Sequence, residues 1–170
     1  ILGYGGIGSQ VAKLGKAFGM RVTGIRRNPQ DDEHADEVLG LDRFEELLPL
    51  TDYLVLSLPD SPQTRDIINA DILEKINSSA MLINVGRGTA INEDDLTDAL
   101  NDGKIAAAAL DTTKVEPLDA NSSLWTAKNC FISAHDSAHS LLSLERAFEL
   151  FFQNIKNIKN GDQIVNLYSE

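Results

Sequence analysis

The amino-acid sequence predicts an α/β fold with a doubly wound parallel sheet. Two observations lead to this prediction. A glycine-rich turn at residues 3–8, GYGGIG, fits the pattern G-x-G-x-x-G and is followed by an apolar stripe of helical spacing. Beyond it, short apolar runs alternate with helix-like segments through the whole chain. Continuous apolar strands joined by helices are typical of a parallel sheet that is covered on both faces.

The glycine-rich turn gives each of its spaced glycines a separate geometrical task. Gly3 allows a tight exit from a strand, Gly5 lets the backbone approach a pyrophosphate, and Gly8 lets the following helix pack closely on the sheet. The N-terminus of that helix offers free N–H groups and a positive dipole end to phosphate oxygens. The turn therefore predicts a Rossmann-like dinucleotide-binding fold, with a simple surface turn as the alternative.

Only two apolar residues, Ile1 and Leu2, precede the turn, where a complete first strand is expected. A chain of 170 residues is long enough for one domain with a real core. We therefore expect residues 1–170 to form one dinucleotide-binding domain of something larger, beginning inside its own first strand.

The other elements follow from spacing and from residues that end helices. The stripe of Ile7, Val11, Leu14 and Phe18 predicts an amphipathic first helix that ends at Gly19. Further strands are predicted at residues 21–25, 53–58, 80–85, 105–110 and 130–133, and further helices at residues 70–76, 92–101 and 143–160.

Two of these helices have recognisable ends. Asn69 and Asn92 are expected to cap them, because asparagine accepts a hydrogen bond from a free N–H of the first turn. Gly103 is expected to close the second of the two helices. Residues 28–36 are polar and acidic, and we expect them to form a surface excursion.

The final helix carries a bulky apolar stripe, made of Leu144, Phe148, Phe151, Ile155 and Ile158. Such a stripe mostly indicates a face that is buried in a core. Its bulk also suits packing on a neighbouring lobe or on a second subunit, and we expect the protein to be a homodimer.

Composition narrows the class of protein. The net charge of −11 argues against nucleic acid and anionic membranes as partners, because both are polyanionic. No apolar run approaches the ~20 residues of a membrane span, and no signal peptide is visible. The single cysteine, Cys130, excludes an internal disulfide and is expected to be a buried structural thiol. We expect a cytoplasmic protein without a metal site.

The end of the second strand is where a dinucleotide-binding fold selects its cofactor. An acid there hydrogen-bonds the ribose 2′-hydroxyl of NAD, whereas an arginine accommodates the 2′-phosphate of NADP. This chain has Arg26 and Arg27 at that place and no acid before Asp31. Because a guanidinium binds a phosphate through paired hydrogen bonds, we predict NADP(H) as the preferred cofactor. NAD(H), with two ordinary surface arginines, is the alternative.

Four polar residues follow predicted strands, at the edge where ligands bind in doubly wound sheets. Arg87 and Asp111 come directly after two of the strands, and Glu116 lies shortly after Asp111, just before a proline. His135 follows the last strand and has a nearby rival in His139. Their placement favours a functional role over that of ordinary loop residues.

Reduction of a ketone by hydride needs an acid that protonates the growing alkoxide, and histidine titrates near neutrality. A carboxylate beside the imidazole fixes its orientation and favours its protonated form. An arginine can grip a substrate carboxylate and polarise the neighbouring carbonyl. We therefore predict that His135, Glu116 and Arg87 fill these three catalytic roles.

Five motifs together resemble the cofactor domain of the D-2-hydroxyacid dehydrogenases, which include glyoxylate/hydroxypyruvate reductases, D-lactate dehydrogenases and phosphoglycerate dehydrogenases. They are GYGGIG at 3–8, LPDSPQTRDIIN at 58–69, INVGRGTAINEDDL at 83–96, ALDTTKVEP at 109–117 and SAHDSAHS at 133–140. They come in the family's order and spacing and cover nearly the whole chain. Together they are far more specific than the glycine turn alone.

The resemblance implies roles residue by residue. Arg87 matches the substrate-binding arginine, His135 the histidine that donates and accepts the proton, and Glu116 the acid paired with it. Asp111 matches the acid that contacts the nicotinamide end. The expected cofactor-binding residues are Gly3, Gly5, Gly6, Ile7, Gly8, Arg26, Arg27, Leu58, Pro59, Thr64, Val85, Gly86, Arg87, Asp111 and His135.

The chain also departs from the family pattern. Ala134 stands where a proline commonly precedes the histidine, and Thr113 and Lys114 replace a common aromatic-acidic pair. The implied substrate is therefore only a small 2-oxoacid or 2-hydroxyacid. Family members have a second lobe, formed mainly by the chain before the glycine turn, and the active site lies between the lobes. We expect these 170 residues alone to be at best a poor catalyst.

Other functions stay open at this point. Some relatives are nucleotide-sensing transcriptional corepressors, an interpretation that the loss of His135 or Glu116 would have favoured. A methyltransferase also uses a glycine-rich turn, but Arg26, Arg27 and the later motifs argue against it. Dehydrogenases of the formate or phosphite type belong to the same wider family and are a further alternative.

Overall fold

The computed structural model describes residues 1–166. The chain divides into two compact units, Ile1–His135 and Asp136–Glu170. Of the elements in the described residues, the first unit contains all the strands and four α-helices, and the second contains the last α-helix.

The first unit is built on one parallel sheet. Its strands are β1 (Thr23–Ile25), β2 (Glu37–Leu39), β3 (Tyr53–Leu56), β4 (Met81–Asn84), β5 (Ala107–Leu110) and β6 (Cys130–Ile132). β2 pairs with β1, and β3, β4, β5 and β6 pair in that order, all in parallel. Leu2 joins the two groups, because it bridges to Ile25 in β1 and to Leu56 in β3. The predicted doubly wound parallel sheet is confirmed.

Leu2 also marks the place where the order of the strands reverses. From Leu2 the chain moves outward through β1 to β2, then returns to the other side of Leu2 and continues from β3 to β6. In sheets of this kind, ligands bind beyond the carboxyl ends of the strands at the reversal. The glycine turn after Leu2 and the loop that starts at Ser57 both lie there.

The helices are α1 (Gly6–Ala17), α2 (Phe44–Leu47), α3 (Ala70–Lys75), α4 (Glu93–Asn101) and α5 (Ser143–Asn160). Both predicted asparagine caps are confirmed. The side-chain oxygens of Asn69 and Asn92 each accept a backbone N–H of the following first turn at 3.2 Å. Gly103 follows α4 with a φ of +72°, which glycine adopts without a steric penalty.

The core of the first unit lies between this sheet and its helices. Its fully buried large side chains include Leu2, Leu48, Leu56, Ile68, Leu73, Leu82, Ile91, Leu96, Ile105 and Leu124. Burying each of these contributes about 1.5–3 kcal/mol. Since they come from the strands and from α3 and α4 alike, they hold the strand ends at fixed positions.

α1 forms as predicted, but its apolar stripe does not face the sheet. Leu14 and Phe18 are 62% and 81% exposed. The buried residues of the helix are Gly8 and Ala12. A Cβ on Gly8 would lie 2.8 Å from the carbonyl oxygen of Gly3, so the helix approaches the turn too closely for larger side chains on this face. Small residues therefore set the packing of α1.

α5 has the predicted bounds, but its stripe is also exposed. Leu144, Phe148, Phe151, Ile155 and Ile158 are 46–67% exposed. The described residues therefore do not bury the stripe in a core, because the second unit has no other helix or strand there to cover it. Packing of the stripe on a neighbouring lobe or on a second subunit stays a prediction. None of the helices within residues 1–166 combines the length and the apolarity that crossing a membrane requires.

β2 is missing from the predicted elements. It has three residues, of which only Val38 is buried, so no periodicity reveals it. Besides the parallel backbone pairing, one side-chain contact links it to β1, since Glu37 accepts a hydrogen bond from the Thr23 hydroxyl at 3.1 Å. The excursion predicted for residues 28–36 thus leads into an edge strand.

Cys130 begins β6 and is partly rather than fully buried. Burial raises the pKa of its thiol to about 11, with a smaller contribution from the charge of Glu93. The thiol is therefore protonated at neutral pH, which favours the structural role expected for it.

Candidate active site

The structure shows why glycines occupy three positions of the turn. Gly3 has a φ of +95°, and a Cβ there would lie 2.7 Å from the carbonyl oxygen of Ser57. Gly8 packs against Gly3, as described above. Around Gly5, by contrast, no heavy atom of the described residues other than Gly5 and its two chain neighbours lies within 4 Å of where a Cβ would stand. Gly3 and Gly8 are thus required by packing, whereas Gly5 borders open space.

The N-terminus of α1 opens onto the same space. Its N-cap, Gly5, has no side chain to accept the first N–H groups, and the first turn contains no acid. Gly6 and Ile7, the first helical residues, are both exposed. Free N–H groups and the positive end of the helix dipole favour an anion there. The turn therefore fits the pyrophosphate of a dinucleotide.

A second turn, after β4, lies against the loop that follows β3. A Cβ on Gly86 would stand 2.7 Å from the backbone nitrogen of Leu58. The buried side chain of Asn84 shapes this turn, because it accepts the Gly86 N–H at 3.0 Å and donates to the Arg87 carbonyl at 3.1 Å. Asn84 was not among the residues predicted for the site, although an amide at the end of an otherwise apolar strand was an available signal.

The loop after β3 carries three of the predicted cofactor-binding residues. Leu58 is half-buried beside the glycine turn, and Pro59 is exposed. The hydroxyl of Thr64 lies 2.7 Å from the carbonyl oxygen of Pro59 and 3.0 Å from the backbone nitrogen of Ser61. These contacts close the loop on itself. Val85, in the facing turn, is half-buried.

Arg26 and Arg27 follow β1, as predicted. The backbone N–H of Arg26 donates to the carbonyl oxygen of Leu39 at 3.0 Å, which fixes the point where its side chain leaves the sheet. Arg26 is half-buried and Arg27 is exposed. β1 ends at Ile25 and the two arginines come next, so no acid stands at the end of this strand.

His135 and Glu116 meet in a direct hydrogen bond. His135 Nδ1 lies 2.8 Å from Glu116 Oε2, and Glu116 Oε1 accepts the backbone N–H of Thr113 at 3.1 Å. The bond with His135 is the main cause that lowers the pKa of Glu116; burial opposes it, and Thr113 and the charge of Arg87 add to it. Glu116 is therefore ionised at neutral pH.

The backbone presents His135 in an uncommon conformation. Its φ is +55°, in the left-handed region, whose occupation by a residue other than glycine costs on the order of 1–3 kcal/mol. Its side chain is 42% exposed. The ring is thus tied to Glu116 at Nδ1 and accessible elsewhere.

Arg87 and Asp111 lie after neighbouring strands. Arg87 is exposed, and its Nη1 donates to the carbonyl oxygen of Gly86 at 2.9 Å. Asp111 is 6% exposed, and its carboxylate accepts the Ser133 hydroxyl at 2.7 Å. Because β4, β5 and β6 pair in parallel, both residues lie beyond the carboxyl ends of neighbouring strands, on the same side of the molecule's sheet.

Arg87, Glu116 and His135 line one cavity of about 180 Å³. Lys114 and Thr112 belong to the same wall. The buried hydroxyl of Thr112 has no hydrogen-bond partner among residues 1–166, so a polar group at this wall remains to be satisfied. Neither Lys114 nor Thr112 was among the residues predicted for the site.

A larger cavity of about 490 Å³ lies elsewhere in the first unit. Its lining includes Thr23 and Tyr53, at the amino ends of β1 and β3, and none of the predicted site residues. Because ligands of doubly wound sheets bind beyond the carboxyl ends of the strands, the smaller cavity is the candidate active site.

Known proteins resemble this chain over most of its length. The family model for the NAD binding domain of D-isomer specific 2-hydroxyacid dehydrogenases matches residues 1–137. The hydroxypyruvate reductase of Blautia hydrogenotrophica is 35% identical over 166 residues, which cover 96% of this chain and 51% of that protein. The human glyoxylate reductase/hydroxypyruvate reductase is 40% identical over 136 residues, covering 79% of this chain and 42% of that protein.

Solved structures agree with the sequence comparisons. The NADPH-dependent glyoxylate/hydroxypyruvate reductase of Sinorhizobium meliloti, in complex with NADP and sulfate, superposes with a TM-score of 0.89 at 28% identity. The match covers 99% of this chain and 54% of that structure. The chain thus spans about half the length of the relatives that it matches.

Proposed function

The chain belongs to the D-isomer specific 2-hydroxyacid dehydrogenase family, and on this premise we propose that it is the cofactor-binding domain of an NADP(H)-dependent enzyme. The enzyme interconverts a small D-2-hydroxyacid and its 2-oxoacid. The hydrogen bond between His135 and Glu116, at the wall of a cavity that Arg87 also lines, carries the proposal.

The proton-transfer role of His135 follows from its hydrogen bond. An ionised carboxylate can only accept, so Nδ1 of His135 carries the proton of the bond to Glu116. Nε2 is then the nitrogen that exchanges a proton with the substrate oxygen, giving it during reduction and taking it during oxidation. Glu116 stabilises the imidazolium form that precedes donation.

Arg87 is suited to hold the substrate. Its guanidinium can grip a carboxylate through two parallel hydrogen bonds and so turn the neighbouring carbonyl toward His135. A bound nicotinamide cofactor supplies or accepts the hydride at this site. The glycine turn, the N-terminus of α1 and the turn of Gly86 are the places where this chain would hold the cofactor.

The preference for NADP(H) is supported by charge. Arg26 and Arg27 stand where an acid would select NAD(H), and the Sinorhizobium meliloti reductase binds NADP. Titration of the chain with NADPH and NADH, followed by cofactor fluorescence, tests the preference. We expect NADPH to bind at least about tenfold more tightly, since hydrogen bonds to charged groups contribute about 1.5–3 kcal/mol.

Two variants sharpen this titration. Arg26→Ser should remove most of the preference, whereas Arg21→Ser, which changes another arginine close to β1, should keep it. Arg21 pairs with Glu37 at 3.1 Å and serves as the matched control. Tighter binding of NADH by the unaltered chain would contradict the cofactor proposal.

The substrate class is tested on the full-length protein with NADPH. Glyoxylate, hydroxypyruvate and pyruvate should oxidise NADPH, and formate or phosphite should not reduce NADP. Turnover of formate or phosphite alone would contradict the proposed substrate class.

We also propose that the protein is cytoplasmic and forms a homodimer. The exposed apolar side chains of α5 support the dimer, because a second subunit could cover them. The molecular mass measured by light scattering tests the dimer.

A further inference from the structure

Tyr4 lies inside the glycine turn but its side chain is not part of the open space. It is 3% exposed, in contrast to its neighbour Gly5. A Cβ on Gly24 would overlap the Tyr4 ring, so the ring lies directly on the backbone of β1. Because β1 leads to Arg26, Tyr4 connects the turn to the segment that carries the two arginines.

The phenol of Tyr4 has one specific partner there. Its hydroxyl donates to Asp32 Oδ1 at 3.0 Å, and the same oxygen accepts the backbone N–H of His34 at 2.8 Å. The His34 N–H is the main cause that lowers the pKa of Asp32, with Tyr4 and the charge of Arg26 as further causes. Asp32 is therefore a carboxylate that two donors hold in place.

The Asp32 carboxylate is a potential competitor of the cofactor's 2′-phosphate for the Arg26 guanidinium. Arg26 lies near enough to influence Asp32 electrostatically, yet the two make no ion pair. Within the described part of the chain, no side-chain hydrogen bond or ion pair holds the Arg26 guanidinium. Without the Tyr4 hydroxyl, the His34 N–H provides the one hydrogen bond to the Asp32 carboxylate within residues 1–166, so the carboxylate is freer to turn toward Arg26, whose opposite charge attracts it.

We propose that Tyr4 is a positioning residue for cofactor selectivity: it holds the Asp32 carboxylate away from Arg26 and so keeps Arg26 available to a 2′-phosphate. The inference rests on the proposed preference for NADP(H). It gives a task to the residue between the first two glycines, which the pyrophosphate site alone does not require.

The first test is Tyr4→Phe, which removes the hydroxyl and keeps the ring on Gly24. We expect the Kd of NADPH to rise about five- to tenfold and that of NADH to change less than about twofold, because only NADPH uses Arg26 at its 2′-phosphate. Tyr53→Phe, at the exposed start of β3, is the matched control and should change neither Kd. Circular dichroism confirms that each variant is folded.

The second test separates this role from support of the turn. Asp32→Asn keeps an acceptor for Tyr4 and His34 but removes the charge that competes for Arg26. We expect Asp32→Asn alone to bind NADPH at least as tightly as the unaltered chain. We expect Tyr4→Phe/Asp32→Asn to recover most of the NADPH affinity that Tyr4→Phe loses.

Three results would overturn the inference. Equal weakening of NADPH and NADH by Tyr4→Phe would make Tyr4 a support of the glycine turn only. Failure of Asp32→Asn to restore NADPH binding would show that the Asp32 charge is not the competitor. A preference of the unaltered chain for NADH would overturn the cofactor proposal itself, and the inference with it.

Discussion

Glu116 holds His135 through one carboxylate oxygen and the backbone N–H of Thr113 through the other, at 2.8 and 3.1 Å. The carboxylate therefore cannot rotate freely, and it fixes the Nδ1 edge of the imidazole. This arrangement leaves Nε2 of His135 as the nitrogen for proton exchange, on which the proposed reaction depends.

Glu116→Gln should lower kcat by about a hundredfold or more, the range typical of general acid–base catalysis. The amide keeps the size of the side chain but no longer stabilises the imidazolium form. The cofactor Kd should stay within about twofold, since no cofactor contact is assigned to Glu116. Glu74→Gln, which alters a surface acid paired with Lys104, is the control and should retain full activity. Unchanged kcat in Glu116→Gln would remove Glu116 from the mechanism.

The lowered pKa of Glu116 leads us to expect that the stability of the fold depends on pH. The pKa of Glu116 is lowered in the folded chain, chiefly by His135, from its ordinary value of 4.5. Its stabilising contribution is therefore fully present above pH 4.5 and is lost as the pH falls through the lower folded-state value. Thermal midpoints should be measured for both proteins between about pH 3 and about pH 7. The midpoint of the unaltered chain should exceed that of Glu116→Gln near neutral pH, and this difference should disappear at the acid end. A constant difference across this range would contradict the assignment.

Two glycines of the turn should respond differently to alanine. Gly3→Ala meets both a left-handed φ and the Ser57 carbonyl, so we expect it to destabilise the fold by about 1–3 kcal/mol or more. Gly5→Ala meets no atom of the described residues and should leave the thermal midpoint nearly unchanged. It should nevertheless weaken cofactor binding, because a methyl group would enter the phosphate space. If Gly5→Ala binds NADPH normally, the pyrophosphate does not lie against Gly5.

Arg87→Lys should raise the KM for the 2-oxoacid by about ten- to a hundredfold, because an ammonium cannot make the paired hydrogen bonds of a guanidinium. The charge is kept, so kcat should fall less than kcat/KM. Arg65→Lys, which changes a surface arginine paired with Asp60 at 3.1 Å, provides the comparison. Equal KM values for the two variants would argue against Arg87 as the carboxylate site.

Patterns in the sequence predicted the elements that bury apolar side chains or carry caps, such as β4 and the helix begun by Asn92. They did not predict which face of α1 is buried. The large residue Leu14 is exposed there, because the close approach of Gly8 to the turn leaves room only for small side chains. Spacing reveals periodicity, but only the structure shows how near two backbones come.

Residues that follow strands could be singled out from the sequence. Arg87 and His135 were predicted in this way, since parallel strands end at a common edge, and the structure places both at one cavity. Thr112 and Asp32 were not, because Asp32 is bound by Tyr4, which is distant in sequence, and the Thr112 hydroxyl has no partner among the described residues. Neither relationship leaves a periodic trace, whereas Asn84 was missed although its partners, Gly86 and Arg87, are near it in sequence.

Proton transfer by His135 is the step on which the proposed reaction depends, and a comparison of two histidine variants tests it. NADPH binding and the rate of 2-oxoacid reduction should be measured in parallel on His135→Gln and on His139→Gln in the full-length protein. We expect His135→Gln to lose at least about a hundredfold in kcat while its Kd for NADPH changes far less, and His139→Gln to keep both values. Retained turnover in His135→Gln, or an equal loss in His139→Gln, would contradict proton transfer by His135.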